Sequence, residues 1–171
     1  VTMAATAALG CMLVSPGAPP AEASSTASAV AEVQLIGSQS IPAGSTAVGT
    51  PLGGLSGIDF DARTGDYVAI SDDRSENAPA RFYRLALPFS SAGFTAPPEF
   101  TGVTTLLDNT GQPFARKSVD PESIRILGDG YVWSSEGAST SGVPTSIQVA
   151  GASGSSDGQF QLPAAWAPAL T

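Results

Sequence analysis

The apolar residues of this chain recur at every second position in short runs, which is the period of a β-strand. The clearest example is GGLSGIDFDARTGDYVAISDDR, residues 53–74. Ile58 and Phe60 alternate there with small or polar residues, and a β-branched and aromatic run resumes at Tyr67 after a break at residues 61–66. The pattern predicts a strand, a tight turn and a second strand.

Further strands are predicted on both sides of this hairpin. An apolar run at residues 33–37 predicts a strand before it, and ARFYRLAL at residues 80–87 predicts a strand after it. Residues 103–107, beyond the break at Pro97 and Pro98, predict one more. The hairpin and the two strands that follow it make a four-stranded antiparallel unit, which is the size of a propeller blade.

The hairpin pattern returns in PESIRILGDGYVWSSEG, residues 121–137. The matched pairs are Ile58 with Ile124, Phe60 with Ile126, Tyr67 with Tyr131, Val68 with Val132, and Asp72 with Glu136. A shorter turn at residues 128–130 replaces the first connection, and residues 145–149 and 159–162 supply two more candidate strands. Matched hairpins at this spacing indicate an internal repeat of one sheet unit.

The repeat predicts an all-β fold, a partial β-propeller of four-stranded antiparallel blades. The ring is expected to be incomplete in this chain, because propellers use roughly four to eight blades. We therefore expect residues 33–171 to be the N-terminal part of a propeller domain in a longer protein. A short β-sandwich built from the same strands is the alternative.

Composition narrows the possible chemistry. The chain has seven Lys and Arg against fifteen Asp and Glu, a net charge of −8, which argues against nucleic acid as a partner because phosphate backbones bind clustered cations. Histidine is absent, so the usual general base and the usual zinc ligand are both missing. Catalysis would have to rest on carboxylates, hydroxyls or a metal ion.

The N-terminal residues predict export. Residues 1–23 resemble a signal peptide that lacks its basic start, with an apolar segment and an Ala-Glu-Ala cleavage site at residues 21–23. Residues 24–32 form a small, polar linker. The apolar run is too short for a transmembrane span, so a secreted or periplasmic location is expected. Anchoring through a lipid on Cys11 is the minor alternative.

Four acids form the candidate site. Asp72 and Asp73 follow the second strand of the first hairpin, Glu122 begins the second hairpin, and Glu136 follows it. The end of one strand and the start of its antiparallel neighbour lie at the same end of a sheet, so these acids are expected on one rim. Hard oxygen ligands in this number suit Ca²⁺. The plain alternative is that they are solvated residues at strand ends.

Arg74 is the candidate for binding an anionic substrate, since a guanidinium pairs with phosphate oxygens through two parallel hydrogen bonds. An ion pair with Asp72 or Asp73 is the alternative for this side chain. Glu122 is the candidate catalytic carboxylate. Serine catalysis is disfavoured, because Ser56 lies outside a G-x-S-x-G motif and the chain has no histidine to activate it.

These motifs together resemble the bacterial phytase-like family with esterase-like activity, a group of secreted β-propellers. The resemblance rests on GGLSGIDFD, YVAISDDR and ARFYRL in the first unit, and on DPESIRIL and YVWSSEG in the second. It implies a hydrolase of phosphate or carboxylic esters with a small anionic or ester substrate and a calcium-dependent acidic site. The competing hypothesis is a non-catalytic extracellular propeller that binds a ligand.

Overall fold

The computed structural model describes residues 33–138 and 141–166. Contacts between Cα atoms divide the chain into residues 1–34 and residues 35–171, and the second unit holds all the strands given below. The predicted signal peptide and linker, residues 1–32, lie outside the described residues. Among the residues that are described, no helix is long and apolar enough to cross a membrane.

The first sheet has four antiparallel strands, and each of the four pairs with the next one along the chain. One short hairpin precedes this sheet along the chain, and another lies in the connection between its third and fourth strands. The strands in chain order are β1 (Thr46–Ala47), β2 (Thr50–Pro51), β3 (Leu55–Asp61), β4 (Asp66–Ser71), β5 (Arg81–Ala86), β6 (Phe89–Ser90), β7 (Gly93–Phe94) and β8 (Glu99–Thr105). The strands β1 and β2 pair with each other, as do β6 and β7.

The second sheet repeats this plan in the order β12-β11-β10-β9, again antiparallel throughout. Its strands are β9 (Pro121–Leu127), β10 (Gly130–Ser135), β11 (Ser146–Ala150) and β12 (Ser156–Gln159). A 3-10 turn at Ala164–Trp166 follows. No α-helix occurs between residues 33 and 138 or between 141 and 166, so the prediction of an all-β fold is confirmed.

The two sheets pack face to face around one core. Val68, Ile70 and Phe82 of the first sheet meet Ile124 and Tyr131 of the second, and all five are fully or almost fully buried. The Phe82 and Tyr131 rings lie 4.4 Å apart between centroids. Burial of these apolar surfaces is the main contribution that holds the sheets together.

The two sheets pack through non-equivalent faces, so that the front of one lies on the back of the other, as in neighbouring propeller blades. Ile58 and Ile124 are equivalent in the repeat, because they pair with the equivalent residues Ala69 and Trp133 in their hairpins. Ile124 points into the space between the sheets and is fully buried, whereas Ile58 is 48% exposed on the far face of the first sheet. A two-fold sandwich would turn equivalent faces toward each other. Each sheet is also a simple meander, so the architecture is that of a partial propeller.

Gly57 sets the distance between the sheets. A Cβ atom at this position would lie 2.8 Å from the Cα of Ser123 and 3.1 Å from the carbonyl oxygen of Glu122. The strands β3 and β9 can approach this closely only because residue 57 has no side chain. Asp59, two residues on, reaches the same strand and accepts a hydrogen bond of 2.9 Å from the backbone N–H of Ile126.

Three predicted strands differ from the structure. The strand expected at residues 33–37 is absent, and Val33 and Leu35 are more than 80% exposed there, so this run buries little apolar surface that would favour a strand. The fourth strand of the first sheet is β8, which begins at Glu99 directly after Pro97 and Pro98, four residues earlier than the predicted 103–107. The last strand of the second sheet is β12, three residues earlier than 159–162.

Candidate functional site

Three carboxylates meet at one end of the second sheet. Asp120, Glu122 and Glu136 each place an oxygen within 4.8 Å of the others. Asp120 is buried, Glu122 is partly buried and Glu136 is exposed, so solvent reaches the group at Glu136. This cluster, Asp120 with Glu122 and Glu136, is called the acidic trio below.

The hairpin of β9 and β10 builds the acidic trio. Asp120 immediately precedes β9 and Glu136 immediately follows β10, so antiparallel pairing brings them together, and the backbone N–H of Glu136 donates to the carbonyl of Asp120 at 3.0 Å. The pairing shifts register between Ser134 and Ser135. A bulge of this kind redirects the side chains that follow it.

Ser135 fixes the backbone on both sides of the bulge. The residue is 1% exposed, and its hydroxyl accepts hydrogen bonds from the N–H groups of Asp120 at 2.9 Å and Gly137 at 3.3 Å. Gly137 has a φ of 75° and lies against the backbone of Val143 and Pro144, where a Cβ would not fit. The chain is therefore tightly held where Glu136 leaves the strand.

The electrostatics of the acidic trio are those of crowded negative charges. Burial raises the pKa of Asp120, and the charge of Glu136 raises it further, while Arg74 acts in the opposite direction. Burial also raises the pKa of Glu122, with added repulsion from Glu136, Asp120 and Asp72. A cation placed among these oxygens would relieve the repulsion.

Asp72 lies at the edge of the acidic trio. It follows β4 as Glu136 follows β10, and its negative charge contributes to the raised pKa of Glu122. Its N–H donates to the carbonyl of Gly54 at 2.7 Å, and its carboxylate covers Gly54 so closely that a side chain there would overlap it. Of the predicted acids, the structure brings Glu122 and Glu136 together, and Asp72 lies outside the group whose oxygens are within 4.8 Å of one another.

Asp73 is directed elsewhere. Its carboxylate accepts hydrogen bonds from the N–H groups of Glu76, Asn77 and Ala78 at 2.9 to 3.1 Å, and pairs with Arg81 at 2.9 Å. The side chains of Asp73 and Arg81 are only 7% and 2% exposed. The structure therefore uses Asp73 to organise the loop between β4 and β5, and the acid that joins Glu122 and Glu136 is Asp120.

Arg74 bridges the acidic trio and a neighbouring group of charges. Its guanidinium lies 3.5 Å from Asp120 and 3.6 Å from Glu76, rather than against Asp72 or Asp73. Arg116 and Lys117 also reach Glu76, at 2.9 and 3.3 Å. Cationic and anionic side chains thus lie side by side at this end of the sheets.

Asp120 is the site residue that the sequence reasoning missed. It sits two positions before Glu122 in DPES, and residues two apart on a strand share a face, so the signal was present. It was overlooked because it precedes the predicted strand and has no matching acid in the first hairpin.

A family model described as "Phytase-like: Esterase-like activity of phytase" matches residues 50–171. The chain belongs to this phytase-like family. The match spans both sheets and includes every residue of the acidic trio. Comparisons with curated proteins and with solved structures found no match to the chain. Membership of the phytase-like family supports a hydrolase domain, and the resemblance stated from the motifs is confirmed.

Proposed function

We propose that this chain is part of a secreted, metal-dependent hydrolase of phosphoesters or small esters. The observation that carries the proposal is the convergence of Asp120, Glu122 and Glu136 within 4.8 Å, in a chain of the phytase-like family. Asp72, at the edge of the acidic trio, is the proposed fourth ligand.

The acidic trio fits a calcium ion. Calcium binds oxygen ligands at roughly 2.3 to 2.6 Å, so two oxygens on opposite sides of one ion are about 5 Å apart. The oxygens of the acidic trio lie within 4.8 Å of one another, which is compatible with a single ion. Carboxylates are also the ligand type that hard cations prefer. Burial and the charges of neighbouring carboxylates raise the pKa values of Asp120 and Glu122, and a bound cation would offset both effects.

Each side chain around the acidic trio has its own proposed role in ester hydrolysis. A bound divalent cation would polarise the substrate oxygen and lower the pKa of a coordinated water. Glu122 is the proposed catalytic carboxylate, because it is the partly buried member of the acidic trio and would lie beside a water held by the cation. Arg74, 3.5 Å from Asp120, is placed to bind a negatively charged group of the substrate.

The deciding experiment measures turnover of a phosphomonoester and of a neutral carboxylic ester, with added calcium and with chelator. We expect activity with calcium, its loss with chelator, and a melting temperature that rises with calcium. Glu122→Gln should abolish turnover on both substrates. Asp157→Asn is the matched control, since Asp157 is an exposed acid on β12, the strand of the second sheet farthest from β9 in the sheet order.

Two other outcomes have distinct meanings. A calcium-dependent melting temperature without turnover would identify a structural metal site in a binding protein. Neither turnover nor any effect of calcium would remove both the hydrolase and the metal from consideration, and would leave the non-catalytic ligand-binding propeller.

Export is proposed from the sequence alone. Cleavage after Ala23 would release a secreted protein, and lipidation at Cys11 would anchor it instead. N-terminal sequencing of exported material separates the two, because a chain that begins at Ser24 supports cleavage, whereas one that begins at Val1 contradicts it.

A further inference from the structure

The backbone around the acidic trio is hydrogen-bonded at both acids that flank the hairpin of β9 and β10. Asp120 donates its N–H to the Ser135 hydroxyl at 2.9 Å, and its carbonyl accepts from the N–H of Glu136 at 3.0 Å. The carbonyl of Glu136 in turn accepts from the hydroxyl of Thr145 at 2.8 Å. The protein itself therefore holds the N–H and C=O groups of two of the three acids.

Ser135 is the side chain at the centre of this arrangement. Its oxygen accepts from the N–H of Asp120 and from the N–H of Gly137, so it joins the residue before β9 to the residue after Glu136. A hydroxyl oxygen has two lone pairs, and these contacts use both. Because Ser135 is buried, loss of the hydroxyl would leave two backbone N–H groups without an acceptor and shielded from water.

The position of Ser135 on its strand explains why such a loss would reach the carboxylates. The pairing of β9 with β10 shifts register between Ser134 and Ser135, and β10 ends at Ser135. From this point the hydroxyl of Ser135 and the hydrogen bond from Glu136 to Asp120 link the two segments. The hydroxyl thus fixes the direction in which Asp120 and Glu136 leave the hairpin relative to Glu122.

The first sheet offers an internal comparison, because Ser71 is the equivalent of Ser135. Each serine is the last residue of its strand, pairs with the first residue of the preceding strand, and is buried. The Ser71 hydroxyl accepts from the N–H of Asp73 at 3.3 Å and donates to the carbonyl of Gly53 at 2.9 Å. The buried serine is therefore a repeated feature of the fold, and the second sheet adds its contact with Asp120.

We propose that Ser135 is a positioning residue of the metal site, whose hydroxyl holds the backbone of Asp120 and of the segment carrying Glu136 at the spacing that a hard divalent cation needs. The proposal rests on the proposed function, because it takes the acidic trio to be the calcium site. Ser135 acts through these acids and contacts neither the cation nor the substrate. Its contribution is to metal affinity, since ligands that are oriented in advance lose less freedom when the metal binds.

Calcium titration by calorimetry on the full chain tests this role, at a temperature where each variant is folded. Ser135→Ala should bind calcium about tenfold more weakly, because supporting hydrogen bonds of metal ligands contribute factors of this order. Ser135→Thr keeps the hydroxyl and should restore most of the affinity. Turnover lost in Ser135→Ala should return at saturating calcium, which separates a weakened metal site from a damaged catalytic group.

Ser135→Cys keeps the test open if the alanine variant does not fold. Its side chain is close to serine in size, but sulfur is a weaker hydrogen-bond acceptor than a hydroxyl oxygen. The affinity of Ser135→Cys for calcium should therefore lie between those of the parent protein and the alanine variant.

Ser71→Ala and Ser134→Ala are the matched controls. Ser71→Ala removes the equivalent buried hydroxyl, so it should lower the melting temperature as much as Ser135→Ala does, by roughly 5 °C, and leave calcium affinity unchanged. Ser134→Ala removes the neighbouring hydroxyl, which pairs with that of Ser123 at 2.8 Å, and should also leave calcium affinity unchanged.

The outcomes separate this proposal from the proposed function. Equal calcium affinity in Ser135→Ala and the parent protein would overturn the positioning role and keep the metal site. An equal loss of affinity in Ser71→Ala would overturn it as well, because the effect would then follow the stability of the hairpins in general. Absence of calcium binding in the parent protein would overturn the role together with the metal site. Calcium binding that depends on Ser135, without ester turnover, would keep the role and reject the hydrolase.

Discussion

Asp120 combines a buried position with a charge that its neighbours disfavour. Its side chain lies beside Glu136 and Arg74, and its pKa is raised by burial and by Glu136. When it is ionised and no cation is bound, this carboxylate lowers the stability of the folded protein. A cation shared by Asp120 and the other acids of the trio would make the same charge favourable. Substitution of Asp120 should therefore affect stability and metal binding in opposite directions.

For Asp120→Asn we expect the metal-depleted protein to melt roughly 2 °C higher, in line with a gain of under about 1 kcal/mol for a chain of this size. The same variant should bind calcium on the order of tenfold more weakly, because affinity depends on the number of charged ligands. Thermal unfolding with and without calcium measures both effects. A lower melting temperature in the metal-depleted variant would show that the contact of Asp120 with Arg74 outweighs the repulsion.

At the scale of secondary-structure elements, the buried pair of Arg81 and Asp73 determines the loop between β4 and β5. Arg81 also donates to the Tyr83 hydroxyl at 2.6 Å and to the carbonyl of Pro51 at 2.8 Å, so it connects this loop to β2. Desolvation disfavours the charged forms of both partners, but hydrogen bonds compensate, and the pKa of Asp73 is lowered while that of Arg81 is raised.

Arg81→Met should lower the free energy of unfolding by about 3 kcal/mol, because it leaves the carboxylate of Asp73 buried without its cationic partner. Arg125→Met, at an exposed arginine, should change it by less than about 0.5 kcal/mol. Urea denaturation of both variants checks the difference. Similar small effects in the two would mean that the backbone N–H groups around Asp73 suffice to hold the loop.

The close contact of β3 with β9 predicts that an alanine substitution costs more stability at Gly57 than at Gly53. Gly57→Ala should destabilise the protein by about 1 to 3 kcal/mol, because the added methyl group would press on the backbone at Ser123 and force the sheets apart. Gly53→Ala has open space at its Cβ position and should be neutral or slightly stabilising. Chemical denaturation of the two alanine variants compares them directly, and equal stability would contradict the close packing.

The sequence predicted the hairpins well and the faces of the sheets poorly. Alternation locates Ile58 and Ile124 on strands, but it cannot say that one is exposed and the other buried, because that depends on which faces of the two sheets pack together. The strand expected at residues 33–37 did not form, because Val33 and Leu35 stay exposed and the run buries little apolar surface that would favour pairing.

Among the site residues, pairing of strand ends brought Glu122 and Glu136 together as expected. The contacts of Asp73 could not be predicted from the sequence. Its place next to Asp72 in the sequence does not reveal that three backbone N–H groups and Arg81 surround its carboxylate. Such contacts depend on the path of a loop, which local pattern does not specify.

At the scale of the whole molecule, two classes of carboxyl group make the stability of the folded protein depend on pH in opposite directions. The pKa values of Asp61, Asp73, Glu76 and Asp108 are lowered, in three of them chiefly by hydrogen bonds and in Asp73 by Arg81 and backbone N–H groups against desolvation. Their stabilisation is complete above the ordinary carboxyl pKa and is lost as pH falls through the lowered values. Asp120 and Glu122, with raised pKa values, reduce stability as pH rises above about 4.

The metal-depleted protein should therefore be most stable near about pH 4 to 5 and less stable at neutral pH. Calcium should remove the decline at neutral pH by offsetting the charge of the acidic trio. Melting temperatures between pH 3 and pH 8, for the parent protein and for Glu122→Gln, test this expectation. The variant should show a shallower decline, and an identical profile would mean that Glu122 does not contribute to it.

Trp133 lies between the two sheets, 2% exposed, with its ring 5.6 Å from that of Phe114 in an edge-on contact. Trp166, the other tryptophan of the chain, is 62% exposed on the 3-10 turn. The fluorescence of the folded protein is thus the sum of a shielded and a solvated indole. In Trp166→Phe the emission comes from Trp133 alone, so its shift to longer wavelength reports directly on water entering between the sheets.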